Sequence, residues 1–99
     1  MERGFLYIAN RPKFIEEALI SVRSLKRFNQ EPVCLVCPED LRTEEVRSSF
    51  DHIIIDPTLS EYTYLAKIIG MQQTPFERTI FLDSDTFITD SIAEVFDIL

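Results

Sequence analysis

Apolar residues in this chain fall into two alternating patterns: short unbroken runs, and longer stretches spaced by three and four. Gly4-Phe5-Leu6-Tyr7-Ile8-Ala9 is an unbroken run closed by Asn10-Arg11-Pro12, which predicts a strand buried on both faces. A helix is expected next. Asn10 is placed to cap it, and Pro12 near its first position costs nothing, because that N–H has no partner inside a helix. Phe14, Ala18, Val22 and Leu25 recur at helical spacing, with Ile15 and Leu19 beside them. Glu16 and Glu17 lie toward the start and Lys26 and Arg27 toward the end, which matches the helix dipole. Asn29 and Pro32 end the helix.

Val33 to Cys37 predicts a second strand, and Pro38-Glu39-Asp40 a turn. Thr43 to Phe50 reads as a short helix, and His52-Ile53-Ile54-Ile55 as a third strand closed by Asp56-Pro57. Ser60 is placed to cap a helix in which Tyr62, Leu65, Ile68 and Ile69 share one face, and Thr74-Pro75 ends it. Thr79-Ile80-Phe81-Leu82 is the fourth strand and runs straight into Asp83-Ser84-Asp85. Ser91 and Glu94 have the spacing of a capping box, in front of Ile92, Val95, Phe96 and Leu99 at i, i+3, i+4 and i+7.

Strands that alternate with helices predict βαβ units. The expected fold is α/β, a Rossmann-like parallel sheet of about four strands with flanking helices and right-handed crossovers. There is no repeat, linker or low-complexity tract, so residues 1–99 read as a single domain. Leu99 is patterned for burial yet ends the sequence. The expectation is therefore a partial domain whose C-terminal half is absent.

The totals then narrow the function. Hydrophobic residues at 45% and charged residues at 27% give an ordinary globular balance. The formal charge is −7, and the basic residues are scattered rather than gathered in a stripe, which argues against nucleic acid as a partner. No apolar run reaches the ~18 residues of a membrane span. The run after Gly4 is too short for a signal-peptide core, so a cytoplasmic protein without a membrane span is expected. Cys34 and Cys37 form a C-x-x-C inside a predicted strand, in a chain with a single His. They read as two buried small apolar residues, not as a redox pair or half a zinc site.

In open parallel sheets, ligands bind outside the carboxyl ends of the strands where strand order reverses. With an order of 3-2-1-4 the reversal lies between strands 1 and 4, and the flanking residues are Ala9-Asn10-Arg11 and Asp83-Ser84-Asp85. The chain has only Gly4 and Gly70, so it cannot build a glycine-rich phosphate loop. Asp83 and Asp85 instead offer two hard carboxylates that can share Mn²⁺ or Mg²⁺, and the ion would neutralise a diphosphate. Two other carboxylate motifs fit less well. An EF-hand loop starting at Asp83 would put Phe87 at a ligand position and Ile88 at the required glycine. An aspartyl-phosphate phosphatase also carries D-x-D at a strand end, but after its first strand and with Thr or Val where Phe87 stands. Asp83 as a strand-ending turn residue and Asp90 as a helix cap is the purely structural alternative.

Phe81-Leu82-Asp83-Ser84-Asp85-Thr86-Phe87-Ile88 resembles the D-x-D segment of GT-A-fold glycosyltransferases, and residues 64–67, 74–78 and 90–99 are similar to the same superfamily. The resemblance implies that the chain is the N-terminal, nucleotide-binding half. It implies a nucleotide-diphosphate sugar donor, often UDP-linked, an acceptor of unknown identity, and bound Mn²⁺ or Mg²⁺. Asp83 and Asp85 would hold the metal, with Ser84 between them. Asn10 would meet the base and Lys67 the donor phosphates. No catalytic residue is implied within these 99 residues, and the chain alone is expected to be inactive. The alternatives are a non-catalytic nucleotide or nucleotide-sugar-binding module, and a sheet domain used only for assembly.

Overall fold

A computed structural model describes residues 2–59 and 63–98. The apolar runs become strands: β1 (Arg3–Ile8), β2 (Val33–Cys37), β3 (His52–Ile55) and β4 (Arg78–Phe81). The periodic stretches become α1 (Pro12–Lys26), α2 (Glu44–Ser49) and α3 (Thr63–Met71). Short 3₁₀ turns cover Glu39–Leu41 and Ala93–Ile98.

The strand order is β3-β2-β1-β4, and every neighbouring pair is parallel. This order fixes the layers. From β1 to β2 to β3 the chain steps one way across the sheet, then returns past β1 to lay down β4. Right-handed crossovers taken in opposite directions must pass over opposite faces. The two apolar clusters agree with this. Phe5, Tyr7, Val33 and Leu35 point to the face covered by α1 and α2, with Val22, Leu25, Val46 and Phe96 packed against them. Leu6, Ile8, Cys34 and Val36 point to the other face, under Ala66 of α3, Leu59 and Phe76. The result is a Rossmann-like α/β sheet with helices on both sides.

Cys34 and Cys37 fall in different clusters, on opposite faces of β2, so they cannot form a disulfide with each other. Both are buried, and burial pushes their thiols up to about 12 and about 11. They are inert core residues, as expected for thiols held in the uncharged form.

Three local expectations change. Asn10 does not cap α1; Arg11 holds the N-cap position without a side-chain cap, and Pro12 opens the helix. Ser91 Oγ still accepts from Ala93 N at 3.4 Å, but the other bonds at this turn differ from a capping box. The Ser91 N–H donates to Asp90 Oδ1 at 2.7 Å, while Asn29 Oδ1 accepts from Ile92 N at 3.0 Å. The residues that follow wind as a 3₁₀ turn, with only Phe96 buried, not as an α-helix with a continuous apolar stripe.

The third change concerns α3. The face that carries Leu65, Ile68 and Ile69 looks outward, with 49%, 40% and 39% exposure, while Ala66 is 1% exposed. Small residues decide this. Ala66 and Gly70 are four apart, and Gly70 lies so close to Ile8 that a Cβ there would overlap the isoleucine side chain. The helix lies flat on β1 through its smallest side chains, and its large ones are left outside. Ser60, Tyr62 and Leu99 lie outside the described residues.

Candidate functional site

Past Phe81 the chain is still tied to β1, because Leu82 N donates to Leu6 O at 3.0 Å. Asp83 is thus delivered at the carboxyl end of β4, next to the end of β1, where the strand order reverses. A tight turn follows. Thr86 N and Thr86 Oγ1 both donate to Asp83 O, at 3.1 and 2.7 Å.

That turn is anchored to the core by a directional chain of hydroxyls. Each hydroxyl has one proton to give. Thr86 Oγ1 gives its proton to the Asp83 carbonyl, so in its 3.1 Å contact with Ser21 Oγ it must accept. Ser21 has then spent its own proton, so it accepts from Tyr7 Oη at 2.6 Å. Burial pushes the Tyr7 phenol up to about 12, against a smaller pull from Ser21, so it stays protonated and able to donate. Two further bonds fix the loop to α1. Ser84 Oγ donates to Glu17 Oε2 at 3.3 Å, and Ile88 N donates to Ser24 Oγ at 2.8 Å. Glu17, Ser21 and Ser24 fall at i, i+4 and i+7, so one polar stripe of α1 holds the whole D-x-D loop.

A cavity of about 170 Å³ opens at this point. Ile8 and Phe14 give it an apolar floor; Glu17, Asp83 and Asp85 supply carboxylates, Ser84 a hydroxyl and Lys67 an ammonium. Lys67 Nζ lies 2.7 Å from Asp83 Oδ1, reaching across from α3. The walls carry three carboxylates against one ammonium, so the cavity favours a cation. Hard oxygen donors fit Mg²⁺ or Mn²⁺, and magnesium commonly takes one or two carboxylates and fills its other positions with water and substrate phosphate. Among the described residues no three His, Cys, Asp or Glu side chains are arranged to hold a metal.

The structure gathers Lys67, Asp83, Ser84 and Asp85 into one cavity and leaves Asn10 off its walls. Asn10 follows β1 closely but is half-buried beside the start of α1. His52 lies on β3, with its ring centroid 6.2 Å from that of Phe76, away from the carboxylates. Glu17, Ser21 and Ser24 were not expected at the site. Their trace in the sequence is the pair of serines set into the apolar side of α1, next to Val22 and Leu25. Among the described residues no helix is long and apolar enough to cross a membrane. The chain matches no protein-family model and no curated protein.

Proposed function

We propose that this chain is the donor-binding half of a metal-dependent glycosyltransferase, which takes a nucleotide-diphosphate sugar, UDP-linked in the first instance, and passes the sugar to an acceptor. The observation that carries the reading is the position of the D-x-D. Asp83 and Asp85 stand at the reversal of strand order, in one cavity with a basic side chain and a serine hydroxyl. That is where an open parallel sheet binds its ligands.

In this reading Asp83 and Asp85 hold Mn²⁺ or Mg²⁺, which bridges to the donor diphosphate and relieves its charge as it leaves. Lys67 supplies a second positive charge for the phosphates. Ser84 stays hydrogen-bonded to Glu17 and fixes the spacing of the two aspartates. A cytoplasmic location is part of the same proposal. The cavity of about 170 Å³ is smaller than the roughly 300–1,000 Å³ of pockets that enclose a whole small ligand. This size supports a site for the metal and diphosphate alone, and no side chain here is assigned to catalysis. The same carboxylates and lysine would equally serve a second reading, a module that binds nucleotide without turnover. Hydrolysis of a UDP-sugar by a protein containing this chain would separate the two.

Calorimetry with Mn²⁺ and UDP tests the metal assignment. Asp83→Asn and Asp85→Asn should each weaken Mn²⁺ binding by about tenfold or more, since each removes one of two charged ligands and even loss of a group supporting a ligand costs about 10–100-fold. Unchanged Mn²⁺ affinity in both variants would leave only the fold.

A further inference from the structure

The ammonium of Lys67 lies 2.7 Å from Asp83 Oδ1, on one of the two carboxylates proposed to hold the cation. We infer that Lys67 is an internal stand-in for the cation: it pairs with Asp83 until a divalent ion binds, yields to that ion, and is then taken over by the donor diphosphate. This inference rests on the donor-site reading above and adds to it an order of events.

Three observations carry it. The pair is exposed, at 36% for the lysine side chain and 53% for the aspartate, so it is weak and exchangeable, not a buried structural bridge. Its two halves come from different elements, α3 and the segment after β4, so either can move without unfolding the other. The three carboxylates of the cavity are not equivalent: Lys67 neutralises Asp83, Glu17 accepts a bond from Ser84, and Asp85 has no ion-pair partner among the described residues. A cation entering beside Asp85 meets Lys67 at the neighbouring carboxylate. The ion and the ammonium repel each other across one carboxylate, so binding of the ion loosens the Lys67–Asp83 pair. The nearest group able to accept the released ammonium would be a phosphate bound to the same ion.

Two consequences follow. Lys67 lowers cation affinity in the absence of nucleotide. It also makes cation and nucleotide bind cooperatively, because each removes a cost that the other would have to meet, and the coupling is reciprocal.

The test is a Mn²⁺ titration read by electron paramagnetic resonance of the free ion, with and without UDP, on the wild type, Lys67→Met, Asp83→Asn and Asp85→Asn. The head of Lys67 is partly exposed, so Lys67→Met should keep the wild-type NMR fingerprint. Without UDP it should bind Mn²⁺ about two- to fivefold more tightly at low salt, the range set by one exposed ion pair. That gain should shrink at high salt. UDP should raise Mn²⁺ affinity less in Lys67→Met than in the wild type. If Lys67→Met binds Mn²⁺ no better than the wild type while the aspartate variants bind it worse, the stand-in role is overturned and the donor site stands. If the aspartate variants bind Mn²⁺ as the wild type does, the donor-site reading fails, and this inference with it.

Discussion

Ser21 is one of few polar side chains in the core, 0% exposed and flanked by apolar neighbours on α1. It transmits a hydrogen bond from Tyr7 in the sheet to Thr86 in the D-x-D turn, so one hydroxyl connects the core to the site. Ser21→Ala would leave the Tyr7 hydroxyl buried without its acceptor, at a cost of about 1–3 kcal/mol. Urea denaturation should show that loss, and faster amide exchange at Thr86 should show the freed turn. Wild-type exchange at Thr86 in a destabilised variant would mean that the relay does not hold the loop. The buried thiols and phenol act on stability through pH. Burial raises Cys34 and Cys37 from 9.0 to about 12 and about 11, and Tyr7 from 10.0 to about 12. Well below the unfolded thiol value of 9.0 all three are protonated folded or unfolded, and their contribution is constant. As pH rises from about 9 to about 12 the unfolded chain loses these protons first, so stability must fall across that window. Unfolding free energies measured at neutral pH and near pH 11 should show the drop, and Cys34→Ala should make it shallower.

At the scale of elements, what was legible in the sequence depended on how many faces each element buries. β1 and β2 are covered on both sides, so their unbroken runs give strand position directly. α1 buries one face under a periodic stripe and was equally legible. α3 was legible as a helix but not in its orientation, because large apolar residues mark one face while the sheet requires the small one. Two substitutions separate these faces. Ile68→Lys, on the outward face, should change stability by no more than about 0.5 kcal/mol. Gly70→Ala, pressed against Ile8, should cost about 1–3 kcal/mol through overpacking. Thermal unfolding of both variants checks the assignment, and a large loss in Ile68→Lys with none in Gly70→Ala would reverse it. The capping box misled for a related reason. Ser91 and Glu94 satisfy a local rule, but Asn29, near the end of α1, takes the Ile92 N–H and the Ser91 hydroxyl for tertiary bonds.

At the scale of the whole molecule, the site follows from connectivity. Once β4 pairs with β1 and not with β3, the chain must reverse direction across the sheet, and whatever follows β4 lands beside the end of β1. That the D-x-D follows β4 was legible, since the apolar run Thr79 to Leu82 leads directly into Asp83. The glutamate and serines of α1 that fix its geometry were not, because the contact between residues 17–24 and 84–88 exists only after the crossover is made. Asn10 lies just past the end of β1 but does not line that cavity, which the proposed function assigns to metal and diphosphate.

The central claim is that Asp83 and Asp85 bind a divalent ion together with a nucleotide diphosphate. An NMR titration with Mn²⁺, in the presence and absence of UDP, tests it most directly, since paramagnetic broadening falls off steeply with distance from the ion. Broadening is expected to centre on residues 83–86, to strengthen with UDP and to reach Lys67 and Glu17. Broadening spread over unrelated surface carboxylates and indifferent to UDP would contradict it.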